Sequence, residues 1–394
     1  MTERSTLPGL YVHLPFCSAI CPYCDFYVLT GDRSRRRQYV RHLLAEIGFC
    51  EGSPWPPFVD PAPEESFDTL FFGGGTPSVF DADDLSTIHG ALSTILPMEG
   101  DLWTGLEANP EDVTRENLAS WKGVGVRFLS LGIQSFNRQA LEFLERRHDP
   151  EDCRQSVSLA RESGIETLSL DLIYGFPGQT ADDWQADLNA AVELEPDHLS
   201  CYQLTVEPGT PFGFRRHRDQ LTELAPEHQA DLFLLTHNWL AERGYVAYEV
   251  SNFAISPTHR SRHNMKYWHH TPYLGLGPSA HSYAAPTRWW NVRKIKPYEA
   301  LIDADRRPID DHETLSQGQL RLEHLMLGLR TPEGVDFGTL PGDVGARLWD
   351  GNRALVDELV EADLATVVDQ RLIPTLAGLA VAEALACRFD LLDP

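Results

Sequence analysis

Tyr11-Val-His-Leu-Pro-Phe-Cys17-Ser-Ala-Ile-Cys21-Pro-Tyr-Cys24-Asp-Phe-Tyr27 decides how the rest of the chain is read. It grows out of an apolar β-like run, Leu10 to Leu14, and sets three cysteines at CxxxCxxC spacing on one short loop. Thiolates so spaced can converge on one iron–sulfur cluster and fill three of its four ligand positions. The fourth iron is then open, the mark of a site that binds or transforms something, since a structural metal site is normally closed by four protein ligands. The same cysteines would also suit half of a zinc site or a redox dithiol. The other four, Cys50, Cys153, Cys201 and Cys387, stand singly without CxxC or HxxxH neighbours, so no second half of a zinc knuckle is visible.

Composition narrows the class. A chain of 394 residues, 42% hydrophobic and 23% charged, is an ordinary globular protein with room for one large α/β domain and a smaller one. Lys and Arg number 33 against 58 Asp and Glu, a formal charge of −25, which repels nucleic-acid phosphates and excludes nucleic acid as the expected partner. The N-terminus lacks an apolar core of the signal-peptide kind, and no run approaches the roughly 18–20 apolar residues of a membrane span. A cytoplasmic location is expected, and the odd count of seven cysteines suits a reducing compartment. Arg33, Arg35, Arg36, Arg37 and Arg41 form the one strongly basic run. It reads as a solvated helix face, with peripheral contact to an anionic membrane surface or an acidic partner as the alternative.

Short β-like runs recur at Leu10–Leu14, Phe67–Phe72, Leu102–Glu107, Arg127–Gly132, Glu166–Tyr174 and His198–Leu204. Amphipathic helical stretches lie between them, which predicts parallel pairing through right-handed crossovers. Nearly every unusual polar residue falls at the C-terminal end of a run, the functional face of barrel-like α/β folds. The rhythm breaks after Val250; an aromatic and Gly-rich extension follows over 251–296, and 297–394 reads as a helix-rich domain whose tail has the order of a winged helix. Gly52–Glu65, rich in Pro and acid, is read as a surface loop.

The strand ends carry the chemistry. Gly73-Gly74-Gly75-Thr76-Pro77 lets backbone N–H and C=O groups approach a neighbour that a side chain would keep away. Glu107 in LEANP and Gln134 in LGIQSFN can hydrogen-bond hydroxyls or an amino group without changing charge. Arg146 and His148 belong to an Arg-Arg-His run. Asp171, in the otherwise apolar DLIYGFPG, is costly to bury alone and is expected to face a ligand or an arginine. For each residue the plainer role, capping or bracing a loop, stays open on the residue alone.

Together, YxHxPFCxxxCxxC, GGGTP, LEANP, LGIQSFN, RRH and DLIYGFPGQ resemble the radical S-adenosylmethionine (SAM) superfamily over most of the chain. The resemblance is to the branch holding the oxygen-independent coproporphyrinogen III oxidases and the HemW-type haem chaperones. It implies an α/β fold, a partial six-stranded (β/α)6 barrel over 1–250 with a helix-rich, winged-helix-like C-terminal domain. It implies a [4Fe-4S] cluster on Cys17, Cys21 and Cys24, its open iron chelated by SAM, from which one electron frees a 5′-deoxyadenosyl radical. Tyr11, Gly74, Gly75, Thr76, Glu107, Gln134, Arg146 and Asp171 would contact SAM, with Tyr23 joining them. The oxidases carry a fourth cysteine two positions after the third, where this chain has Phe26, and a longer segment before the first strand. Arg262-His263-Asn264-Met-Lys-Tyr267-Trp268 matches the HNxxYW motif associated with haem in the chaperones. His263 would serve haem, Arg260 and Arg262 its propionates, with His269, His270 and His281 as rival ligands. The function expected is delivery of haem to recipient haemoproteins such as respiratory enzymes, with an electron donor as a further partner and enzymatic turnover left open. The alternative is anaerobic oxidation of coproporphyrinogen III, and a structural cluster or zinc protein comes third.

Overall fold

Side chains that alternate with period two sort the first half of the chain into strands with two different faces. The computed structural model describes residues 6–64, 66–340 and 343–391; residues 1–5 and Glu65, the last of the expected Gly52–Glu65 loop, lie outside them. Each expected run is a strand: β1 Gly9–Leu14, β2 Phe67–Gly74, β3 Met98–Ala108, β4 Val126–Gln134, β5 Thr167–Tyr174 and β6 His198–Gln203. One face of these strands, including Leu10, Val12, Leu70, Phe72, Leu106, Leu129, Leu131, Leu168, Leu170 and Leu199, joins the main apolar core with the surrounding helices. The opposite face carries Tyr11, Phe71, Trp103 and Phe128, which form a separate aromatic layer, and above them the polar strand ends.

The crossover helices are α1 Arg33–Gly48, α2 Ala82–Ile95, α3 Arg115–Gly123, α4 Arg138–Phe143, α5 Pro150–Ser163 and α6 Ala181–Val192. α5 and α6 both start on capping boxes, Asp149 with Asp152 and Thr180 with Asp183, which satisfy backbone donors that the helix leaves orphaned. The basic run lies on α1 and is largely neutralised there. Arg35 grips Glu299 with two bonds of 2.5 and 2.8 Å, Arg33 pairs with Asp81, and Arg36 donates to the Gly31 carbonyl.

Later segments enlarge the sheet at both edges. After α7 Pro211–His217 and α8 Pro226–Ala241, the short strands β7 Val246–Ala247 and β8 Asn252–Ala254 add antiparallel beyond β6. The helix α9 Arg262–Trp268 leads to β9 Tyr273–Leu276, which pairs parallel with β1, so the parallel run has a seventh member. Strands β10 His281–Ala284, β11 Thr287–Asn291 and β12 Ile309–Thr314 continue antiparallel from β9. The resulting order is β12-β11-β10-β9-β1-β2-β3-β4-β5-β6-β8-β7, an open sheet with two free edges.

The aromatic extension expected over 251–296 is therefore woven into the barrel sheet. α10 Ile295–Asp303 also packs into the first core through Ile295, Tyr298 and Ile302. The second core begins with α11 Gln317–Leu329, about twenty residues after the boundary at 297. It gathers Leu325, Leu329, Phe337, Leu348, Trp349, Val356 and Leu359 around a three-stranded sheet of Val335–Asp336, Arg371–Pro374 and Ala365–Val368. In the tail expected to resemble a winged helix, two short helices, Leu376–Ala380 and Ala382–Ala386, follow this sheet.

Candidate functional site

The cysteine loop is pinned at its base. Phe16 and Cys17 pair in parallel with Leu29 and Thr30, and the Leu29 amide donates to the Pro15 carbonyl at 2.7 Å. Within the loop the Cys24 amide donates to the Cys21 carbonyl at 3.1 Å, a turn that brings these two residues to one side; outside it, the Phe212 amide of α7 donates to the Pro22 carbonyl. Cys17, Cys21 and Cys24 all carry free thiols and face one cavity of about 530 Å³ at the C-terminal ends of β1 to β6. Burial pushes the Cys17 thiol up to about 11 and raises that of Cys24, with the neighbouring thiols adding to both shifts. Raised thiols at Cys17 and Cys24 are the cost of burying them, and bound iron would supply the charge that offsets it. Among the described residues no three His, Cys, Asp or Glu surround the position of a single ion. A trio of separate thiols on one wall fits a polynuclear cluster, in which each iron takes its own thiolate.

The glycine run serves this loop before any ligand. Gly75 donates to the Leu14 carbonyl and Thr76 to the Phe16 carbonyl, each at 2.9 Å. A Cβ on Gly75 would stand 2.8 Å from the Phe16 oxygen and 2.9 Å from the Leu14 oxygen, and one on Gly74, at φ +112°, would strike the His13 ring. Gly74, Gly75 and Thr76 still border the cavity, and Thr76 hydrogen-bonds the Cys17 thiol.

Two carboxyls face the same space. Glu107, at the end of β3, accepts from the Gly74 amide at 3.3 Å and is pushed up to about 8 by burial and then by the charge of Asp171. Asp171 on β5 accepts from Ser130 Oγ at 2.9 Å through both oxygens and is raised to about 6, chiefly by burial. Arg146 is the cation of the site. It donates to Asn109 Oδ1 at 2.6 Å and the Gly132 carbonyl at 3.0 Å, and its Nη1 lies 3.4 Å from Cys21 Sγ. Gln134 enters the cavity from a bulge in β4, where pairing with β5 shifts register between Leu131 and Gln134. Its φ of +67° is left-handed, a costly backbone for a residue other than glycine. Tyr23 also lines the cavity and packs on Phe212 with ring centroids 6.4 Å apart.

Two expected site residues are not brought here. Tyr11 lies in the aromatic layer with Phe71, Trp103 and Phe128, its hydroxyl 3.1 Å from His13 Nδ1 and its ring stacked on His263 at 6.3 Å. His263 lies deeper still, fully buried near the N-terminal ends of β1 and β2. Its Nδ1 is 3.0 Å from Thr69 Oγ1, its Nε2 is 2.8 Å from Tyr267 Oη, and its ring stacks on Phe71 at 5.4 Å. Burial holds the imidazole neutral, down to about 3, and an iron would have to break one of these hydrogen bonds to find a lone pair. Arg262 is 3.6 Å from Asp101, while Arg260 lies over the Tyr248 ring and 3.9 Å from Glu333, so neither faces the cavity. Asn109 and Tyr202 are cavity residues that the motif reading passed over. Asn109 stands inside LEANP, two residues after Glu107, and Tyr202 falls on the inward phase of β6, so both had a positional signal.

The Radical SAM superfamily matches residues 59–191. Curated relatives named heme chaperone HemW include one from Bacillus subtilis (strain 168), 35% identical over 84% of this chain and 85% of the relative. Another, from Mycobacterium tuberculosis (strain ATCC 25618 / H37Rv), is 32% identical over 96% of this chain and 93% of the relative. The solved coproporphyrinogen III oxidase HemN of Escherichia coli, a radical SAM enzyme, shares the fold with a TM-score of 0.82 at 22% identity, covering 98% of this chain and 91% of that one.

Proposed function

The chain belongs to the radical SAM superfamily and, within it, to the HemW-type haem chaperones, and from that premise we propose that it binds haem for delivery to recipient haemoproteins, with a [4Fe-4S] cluster and SAM at the barrel mouth. The observation that carries the proposal is the convergence of Cys17, Cys21 and Cys24 with Glu107, Gln134, Arg146 and Asp171 on one cavity. Cys17, Cys21 and Cys24 would hold the cluster, whose chemistry when bound is to pass one electron to the SAM sulfonium. Asp171 is the carboxylate charged at neutral pH, and the ammonium and sulfonium of SAM would favour release of the Glu107 proton and then face both acids. Gln134 and Asn109 offer neutral donors and acceptors to a ribose or a carboxylate. Arg146, beside Cys21, stabilises thiolate charge and can pair with a ligand carboxylate. Tyr23, Thr76 and Ile173 complete the wall around these groups.

Haem is cargo in this reading, and respiratory haemoproteins are the recipients proposed for it. Among the described residues no helix is long and apolar enough to cross a membrane. The oxidase alternative shares the whole fold, but Phe26 stands at the fourth-cysteine position with 70% of its surface exposed. Anaerobic reconstitution tests both readings. Wild-type protein should take up iron and sulfide, titrate with haem, and yield no divinyl product from coproporphyrinogen III with SAM and reductant. Each of C17A, C21A and C24A should lose most of the cluster absorbance. Product formed at useful turnover would replace the chaperone reading with the oxidase one, and protein that takes up no iron would remove both.

A further inference from the structure

The bulge that turns Gln134 into the cavity leaves its neighbours without ladder partners, and unpaired backbone groups in a buried strand end must be satisfied elsewhere. Three side chains do so. Arg146 takes the Gly132 carbonyl, as described, and His148 Nε2 lies 3.0 Å from the Ile133 carbonyl. His148 is itself only 3% exposed and is held on its other side by Glu111, 3.3 Å from Nδ1. On the far side of Gln134, Asp187 of α6 accepts from Ser135 Oγ at 2.6 Å and from the Phe136 amide at 2.7 Å. Ser135 is fully buried, and its hydroxyl also accepts from the Asn137 amide at 3.0 Å. Asp187 is 3% exposed and has no place in the cavity wall.

We propose that Asp187 and His148 are positioning residues that clamp the chain on either side of Gln134 and so hold its side chain in the SAM site. The inference rests on the reading of Gln134 as a SAM contact. A left-handed Gln relaxes toward ordinary φ unless both flanks are fixed, and relaxation by one residue would turn the amide away from the cavity. Asp187 supplies the stiffer flank because a carboxylate accepting two short bonds is strongly directional. His148 fixes the other flank through the carbonyl that precedes Gln134.

The test is a double-mutant cycle on cluster-loaded protein, with SAM affinity measured by anaerobic equilibrium dialysis and the SAM-induced change in the reduced cluster's EPR signal as a second readout. Loss of the clamp through D187A should weaken SAM about 10-fold, the scale of a lost hydrogen bond to a charged group. In a Q134A background the same change should cost no more than about 2-fold, because its target is already gone. D187N keeps one acceptor for the Phe136 amide and should restore most of the affinity. Should D187A fail to accumulate, S135A removes one of the two bonds and carries the same expectation of a loss confined to the Gln134 background. An equal loss in both backgrounds, or none in either, overturns the proposal while leaving SAM binding intact. Wild-type protein that loads its cluster but binds no SAM overturns the reading of the site and this inference with it.

Discussion

Glu46 on α1 is a fully buried carboxyl, and its partners all come from the far part of the chain: Gly277 N at 2.8 Å, Asn291 Nδ2 at 2.6 Å and Tyr298 Oη at 2.6 Å. Burial pushes it up to about 7, against those three donors, which pull it down. The folded protein therefore holds this proton more tightly than the unfolded chain does. Stability from the protonated carboxyl is fully present below the ordinary carboxylate range and is lost as pH rises through about 7. Linkage puts the loss at about 3 kcal/mol. E46Q removes the titration and weakens one hydrogen bond, worth about 1 kcal/mol. Thermal unfolding should find E46Q less stable than wild type at pH 5 and more stable at pH 8; parallel curves would assign the pH dependence to other groups. At this scale the sequence marks Glu107 and Gln134 by their places at strand ends and Asp171 as a lone acid in an apolar strand. Glu46 has no such mark, since nothing in Ala45-Glu-Ile-Gly48 announces partners more than 200 residues away.

α9 carries the HNxxYW motif, yet none of its side chains lines the cavity. Its His, Tyr, Trp and Lys are each engaged at the N-terminal end of the barrel. His263 is held by Thr69 and Tyr267, Lys266 reaches Asp68 at 2.6 Å and the Leu7 carbonyl at 2.6 Å, and Arg330 lies over Trp268. The helix thus floors the barrel opposite the cysteine loop, with the Tyr11, Phe71, Trp103 and Phe128 layer between them. H263A removes two hydrogen bonds and a stacked ring from a fully buried position and should cost about 3 kcal/mol of stability in haem-free, cluster-free protein. Denaturant unfolding measures this directly. An unchanged midpoint would mean that the ring is free of the floor and available to haem iron. The six strands of the first half were legible from their alternation. β9 was not, because a four-residue strand of Tyr, Leu and Gly has no pattern that says which edge it will join.

Across the whole molecule, the second core meets the barrel along a polar seam. Arg330, at the end of α11, donates to Glu249 Oε2 at 3.3 Å, and Glu249 is fully buried, accepting also from the Ser251 amide and Asn252 Nδ2. Nearby, Glu323 of α11 takes Arg288 at 2.7 Å and His270 at 2.9 Å. R330M keeps the apolar cover over Trp268 but leaves the buried carboxylate short of a counter-charge. It should destabilise by about 2 kcal/mol, less than the loss for a fully dry pair because Arg330 is 34% exposed on its side chain. Chemical denaturation of R330M beside E249Q/R330M checks the assignment: removing both charges should recover part of the loss, and no recovery would place the cost in packing alone.

By itself the sequence determined the cysteine loop, the α/β order of the barrel and the placing of Glu107 and Gln134 at strand ends, since period-two burial and strand-end position are local properties of the chain; Arg146 and Asp171 joined them through the motif resemblance and the cost of burying a lone acid. Only the tertiary structure decided that β9 lies beside β1, that His263 faces Thr69 across 194 residues, and that Asp187 and His148 close on Gln134. Those facts depend on pairings between distant segments, where the partner that satisfies a buried donor or acceptor is chosen by packing and leaves no spacing in the sequence to read.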